Sequence, residues 1–127
     1  MAVLGDARID ATIPTTDLDR AREFYEGTLG LHPADQPARG RELVYECGGG
    51  TRLLVYERAS AGTAEHTLAH FIVADLEAAV YELRGRGVVF EEYDLPHITT
   101  VNGIATFDDF RAAWFRDPDG NIIGLNG

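Results

Sequence analysis

The sequence predicts an α+β fold built from one βαβββ module that occurs twice. Two stretches 58 positions apart share an apolar run followed by Asp-Leu, an acidic residue and alanine, and a second pair of stretches matches at a spacing of 70. The matching positions are 13–21 with 71–79, 41–45 with 111–115, and Gly50 with Gly120. Internal repetition of this kind indicates that one supersecondary unit was used twice.

The first copy begins with a strand in which Ile9, Ala11 and Ile13 alternate with polar residues, as in a half-buried strand. A helix should follow, because Thr16 or Asp17 can accept hydrogen bonds from its free N–H groups. Three glycines then mark the turn between the last two strands. The predicted elements are strands over 7–14, 42–47 and 52–58, and a helix from Leu18 to Leu29 that ends at Gly30.

The second copy repeats this order. Its final turn, Asp117-Pro118-Asp119-Gly120, has the composition of a type I turn with glycine in the left-handed position. The predicted elements are strands over 67–73, from Val88 to Phe90 onward, 111–116 and 121–126, and a helix from about 75 that ends at Gly85 or Gly87. Residues 91–110 have no counterpart in the first copy. We expect one domain over residues 1–127, with repeat halves over about 7–58 and 66–126.

The composition limits the classes of function. A net charge of −10, with scattered arginines and no lysine, argues against nucleic-acid binding. No apolar run approaches the roughly 20 residues of a membrane helix. The single cysteine, Cys47, excludes an internal disulfide and a multi-cysteine zinc site. Because no secretory signal is evident, we expect a cytoplasmic protein.

Two motifs carry a family resemblance that spans nearly the whole chain: residues 16–25 with Leu29-Gly30-Leu31, and the closing Trp114-Phe115-Arg116-Asp117-Pro118-Asp119-Gly120-Asn121. The sequence resembles the vicinal oxygen chelate superfamily, which includes glyoxalase I, extradiol dioxygenases, fosfomycin-resistance proteins and bleomycin-binding proteins. The resemblance implies two half-open, mixed β-sheet barrels with the helices packed outside. It also implies a concave ligand-binding surface. Because relatives pair modules to cover their sheet edges, we expect a homodimer.

Enzymes of this superfamily hold a divalent metal with His and Glu side chains from four strands. The corresponding positions here are Asp10, Leu54, Leu68 and Gly124, and the repeat pairs them at the same spacings of 58 and 70. Three of the four cannot bind a metal through a side chain, and one carboxylate is too few for a hard cation. We therefore expect neither a metal nor another cofactor. A site rebuilt from other residues stays open as an alternative, with candidates His70, His97, Asp10, Glu42 and Glu46.

Strand alternation predicts which side chains face the concave surface. The turn length places Trp114 opposite Gly124, which would leave room beside a large stacking surface; alternatively, Trp114 only fills the barrel. Glu42, Val44, Ile72 and Ala112 share this face. The predicted ligand-binding residues are Asp10, Thr12, Leu54, Tyr56, Leu68, His70, Tyr93, His97 and Trp114.

An apolar, aromatic wall with a few polar groups is typical of a small-molecule pocket. We expect a metal-free protein that binds a small organic ligand, an aromatic or antibiotic-like compound that it sequesters. The alternative is a lyase, isomerase or dioxygenase-like enzyme that uses Asp10 and His70 as acid–base groups or a rebuilt metal site. A third class, a structural module, would have a barrel filled by its own side chains. The sequence contains no P-loop, dinucleotide fingerprint or nucleophile elbow.

Overall fold

The computed structural model describes residues 3–35 and 41–127 and shows two mixed sheets, each with one helix. Neither sheet closes into a barrel, so the predicted α+β class with half-open sheets is confirmed. No helix in the described residues is long and apolar enough to cross a membrane. The strands are β1 (Ala11–Thr15), β2 (His32–Pro33), β3 (Glu42–Glu46), β4 (Arg52–Glu57), β5 (Thr67–Ile72), β6 (Thr100–Val101), β7 (Ile104–Thr106), β8 (Arg111–Arg116) and β9 (Ile122–Asn126). The helices are α1 (Leu18–Arg22), which continues as a π-helical segment over Glu23–Thr28, and α2 (Leu76–Gly85). A single 3-10 turn, Gly48–Gly50, connects β3 to β4.

The first sheet has the order β1-β4-β3-β2, with β1 parallel to β4 and the other pairs antiparallel. The prediction that its first strand begins at residue 7 is wrong. Pairing starts at Ala11 opposite Leu53, and Ile9 is 89% exposed. Since β4 itself starts at Arg52, residues 7–9 have no neighbouring strand to pair with. The alternation of apolar residues could not show where the neighbouring strand begins.

Both helices begin with the same cap, 58 positions apart. The Asp17 carboxylate accepts a hydrogen bond from the backbone N–H of Arg20, and Asp75 accepts one from Ala78, each at 3.1 Å. This cap satisfies an N–H group that has no partner inside the helix. After the π-helical segment of the first helix, Gly30 adopts a φ of 75°, which favours glycine. Gly30 therefore ends the helix as predicted.

The second sheet has the order β5-β9-β8-β7-β6, with β5 parallel to β9. The strand expected from Val88 onward is interrupted. Phe90 forms a single bridge with Phe115, and Glu91 donates its N–H to the Trp114 carbonyl at 2.8 Å. The same edge then resumes with Ile104 opposite Ala113. Residues 92–103, here called the insert, leave this edge and return to it without changing the register.

The end of the insert forms a hairpin with the strand that returns to the sheet edge, and this hairpin was not predicted from the sequence. Strands β6 and β7 are antiparallel and are connected by Asn102-Gly103, with φ angles of 55° and 80°. An Asn-Gly loop between apolar residues is a strong signal for a type I′ hairpin turn, because both residues accept positive φ. The segment without a counterpart is thus an additional hairpin in the second copy.

One apolar core extends through both modules, between the sheets and the helices. The Phe24 ring of the first module lies 6.2 Å from the Phe115 ring of the second. Alternate residues of the central strands enter this core: Leu43, Tyr45, Phe115, Ile123 and Leu125 are all buried. The edge strands β1 and β5 lie next to each other, so the boundary between the modules runs along these two strands.

Candidate functional site

Enzymes of the superfamily that this sequence resembles hold a metal at four positions. The residues at these positions do not form a metal site in this chain. Leu54, Leu68 and Gly124 offer no donor atom, and the Asp10 carboxylate is engaged by Arg52, whose Nη2 and Nε lie 2.9 and 3.3 Å from Asp10 Oδ2. Among the described residues, no three His, Cys, Asp or Glu side chains converge on a point where an ion could sit. The residues present therefore do not fit the divalent metal of the superfamily.

The Arg52 side chain also sets the protonation of Asp10. Its hydrogen bond and its positive charge lower the pKa of Asp10 below the usual value, although partial burial opposes this shift. Asp10 is thus held as a carboxylate. Arg52 was not among the predicted site residues. It lies on the same face of β4 as Leu54 and Tyr56, so strand alternation could have predicted it.

On the second sheet, Trp114 lies opposite Gly124, and His70 lies opposite the same glycine on its other side. A Cβ atom built on Gly124 would be 3.3 Å from Trp114 Cδ1 and 3.2 Å from His70 Cβ. The indole therefore fills the space that the glycine leaves, which corrects the expectation of open room at this point. Part of the half-buried indole stays exposed next to Gly124, where a ligand could stack on it.

The insert adds a second aromatic ring to this surface. Tyr93 packs edge to face against Trp114, with ring centroids 5.6 Å apart. The insert is held by Glu92, whose Oε1 accepts hydrogen bonds from the Thr100 hydroxyl at 2.8 Å and from the Gly103 N–H at 2.5 Å. His97 lies exposed at the far end of the insert. The structure thus joins Tyr93 to Trp114.

A cleft of about 510 Å³ opens between the start of β1 and the end of β5. Asp10 and His70 are the two predicted residues that line it, whereas Thr12, Leu54, Tyr56 and Leu68 lie on the sheet faces outside it. Next to it is a second cavity of about 620 Å³, which shares Cys47, Gly48 and Phe71 with the cleft. The cleft is lined by Ile9, Asp10, Ala11, Cys47, Gly48, Thr51, Arg52, Leu53, Ala69, His70, Phe71 and Ile72.

The opposite end of the β1–β5 boundary is closed by the Asp-Pro-Asp-Gly turn. Asp119 accepts hydrogen bonds from the Thr15 hydroxyl at 2.5 Å, from the Thr16 hydroxyl at 2.6 Å and from Arg20 Nη2 at 2.9 Å. Burial raises the pKa of Asp119, but these hydrogen bonds and the charge of Arg20 outweigh it and lower the pKa. The turn of the second module is therefore bound to the start of the first module's helix.

Two further side chains complete this connection, here called the locked joint. The buried Tyr25 hydroxyl donates to Asp117 Oδ2 at 2.7 Å, and the Asn121 amide donates to the Pro14 carbonyl at 2.8 Å. Burial, followed by the charge of Asp117, raises the pKa of Tyr25, so that its hydroxyl stays a donor. The Asp-Pro-Asp-Gly motif predicted only a turn here. The turn also joins the two modules.

Comparison with known proteins agrees with the fold and with the sequence motifs. Residues 8–125 match the glyoxalase/bleomycin resistance protein/dioxygenase superfamily. The chain belongs to this superfamily. No curated protein matches the chain.

Several solved structures share the fold. A glyoxalase/bleomycin resistance protein from Streptomyces sp. CB03234 is 29% identical, with 95% of this chain and 100% of that chain covered and a TM-score of 0.67. TnmS3, an antibiotic binding protein from the same organism, is 28% identical over 95% and 96% of the two chains, with a TM-score of 0.66. A glyoxalase/dioxygenase from Nostoc punctiforme, 19% identical over 99% and 94% with a TM-score of 0.67, supports the fold alone.

Proposed function

We propose that this protein binds a small organic molecule without a metal, and that the ligand is an aromatic or antibiotic-like compound that the protein sequesters. The observation that carries the proposal is the replacement of three metal-binding positions by leucine and glycine, in a chain that keeps the superfamily fold. The antibiotic-binding TnmS3, 28% identical, supports the same class of ligand.

The contacts described above favour binding over catalysis by Asp10 and His70. Both side chains line the cleft, which would suit an acid–base pair in a lyase or isomerase. A general base works best with a pKa near the working pH, however, and Arg52 moves the pKa of Asp10 in the opposite direction. The enzyme therefore remains the second candidate.

We also propose a homodimer. Val101, which is 71% exposed, lies on β6, the outer edge strand of the second sheet. Covering such edges and apolar side chains removes surface that otherwise promotes non-specific association. Light scattering at micromolar concentration should give twice the mass of one chain, and a monomer at this concentration would contradict the proposal.

Trp114, the only tryptophan, reports on ligand binding directly. Planar aromatic compounds from a diverse library should quench its fluorescence, and Trp114→Ala should weaken binding by about 1–3 kcal/mol, as expected for a lost aromatic contact. Tyr81→Ala is the matched control, because Tyr81 is 81% exposed on α2. If Trp114 only fills the interior of the half-open barrel, Trp114→Ala should instead lower the free energy of unfolding by about 3–5 kcal/mol. In that case the wild type should bind none of the compounds.

A further inference from the structure

The repeat relates the locked joint to an equivalent position at the other end of the β1–β5 boundary. The spacing of 70 relates Asn121 to Thr51 and Asp119 to Gly49, and the spacing of 58 relates Pro14 to Ile72. If both ends were built alike, Thr51 would bond across the boundary as Asn121 does. It does not: the Thr51 hydroxyl donates to the Gly48 carbonyl of its own turn, at 2.6 Å.

The cleft lies at this second end, here called the open joint. Thr51 and Ile72 both line it, on opposite sides of the module boundary. Within residues 3–35 and 41–127, none of the hydrogen bonds that join the modules comes from a residue lining this cleft. The locked joint thus joins the modules at one end of the boundary, a further bond runs from Arg86 to the Thr28 carbonyl at 3.3 Å, and the cleft separates the modules at the other end.

The walls of the open joint define the chemistry of an occupant. Ile9, Ile72, Leu53 and Phe71 make most of the lining apolar, and the volume of about 510 Å³ is within the range of small-molecule sites. The Arg52 guanidinium, whose side chain is 25% exposed, is the cation of this lining and bonds one oxygen of Asp10. A guanidinium is planar and weakly hydrated, and it pairs well with carboxylate or sulfonate groups.

We propose that the open joint is the ligand site, and that it takes a planar aromatic molecule with one anionic group, which pairs with Arg52 and connects the two modules. This inference rests on the proposed function and adds the location and the ligand class. His70, which lines the cleft, and Trp114 both lie opposite Gly124 on neighbouring strands, so a planar ligand seated here extends over His70 to the exposed part of the indole.

The net charge of −10 does not prevent this binding, because repulsion from distant surface charges is screened beyond about 8 Å at physiological ionic strength. The Asp10 carboxylate, which bonds Arg52, is the direct competitor for it, and Glu46 and Glu42 add further negative charge near the guanidinium.

The charge of the anionic group can be tested with 8-anilinonaphthalene-1-sulfonate, whose emission rises in apolar sites. Asp10→Asn should tighten dye binding several-fold, by removing the competing carboxylate, and Arg52→Gln should weaken it by about tenfold, which corresponds to about 1.4 kcal/mol. Glu57→Gln is the matched control, because it also removes a carboxylate bonded to an arginine, Arg41, but lies outside the cleft. It should leave the dye affinity unchanged.

The location can be tested with Cys47, the only cysteine, which lines the cleft. Alkylation by iodoacetamide is carried out at alkaline pH, because burial raises the pKa of the thiol, and is measured by mass spectrometry. Bound dye should slow the alkylation several-fold. Unchanged alkylation together with normal binding by Arg52→Gln would overturn the inference while the proposed function stands. If the dye fails to bind but library compounds still quench Trp114, the inference is again overturned alone. If neither binds, both proposals fail.

Discussion

Replacing Asp119 with alanine should destabilise the protein, because it breaks the locked joint at its centre. The Asp119 side chain is only 5% exposed, and its carboxylate accepts hydrogen bonds from Thr15, Thr16 and Arg20. Hydrogen bonds to a charged group contribute about 1.5–3 kcal/mol each, but they are not additive when the donors can find other partners. Thr15 can still donate to the Asp17 carbonyl, 3.1 Å away, and the exposed Thr16 and Arg20 can bond water.

These compensations reduce the expected loss to about 2–4 kcal/mol of unfolding free energy. Asp119→Asn should cost less, because an amide of the same shape can still accept from Thr16 and Arg20 and can donate to the Thr15 hydroxyl. Asp109→Ala, at an exposed position, is the control and should stay within about 0.5 kcal/mol of the wild type. Urea denaturation of the four proteins measures these differences. An Asp119→Ala variant as stable as the control would refute the role given to the locked joint.

Three other predictions concern Asp119, the metal content and the insert. The folded state lowers the pKa of Asp119 from 3.8. The Asp119 carboxylate therefore contributes its full stability above pH 3.8, and this contribution is lost as the pH falls further. Asp119→Asn should flatten this part of the curve of unfolding free energy against pH, measured by urea denaturation. Chelator should leave the melting temperature unchanged and elemental analysis should find substoichiometric metal, whereas a stoichiometric ion held by His70 or His97 would contradict the metal-free proposal. Glu92→Ala should loosen the insert and shift the emission of Trp114 by moving Tyr93, whereas the exposed Glu65→Ala should not.

Local patterns in the sequence predicted local structure well. The caps at Asp17 and Asp75 follow from short polar side chains just before an apolar helix face. The pairing of Trp114 with Gly124 follows from the length of the turn between their strands, because turn length fixes the register of a hairpin. These predictions hold because each depends on residues close together in the chain.

Two of the misses depend on contacts that no local pattern encodes. Tyr25 and Asp117 are 92 positions apart, and nothing near either residue indicates that a tyrosine will bond this turn. The cleft was missed for the same reason, since its walls come from the ends of two different modules. The insert hairpin differs, because its Asn102-Gly103 turn signal is local and present in the sequence.

The interrupted strand has a consequence for protein engineering. Glu91 and Ile104 occupy successive positions along the edge of β8, so the chain can leave and re-enter the sheet there without displacing any other strand. Doubling the length of a flexible loop costs only about 0.6 kcal/mol of closure entropy, so this point should accept grafted peptides of various lengths. A graft here would emerge beside the indole of Trp114, which could then report optically on whatever the grafted segment captures.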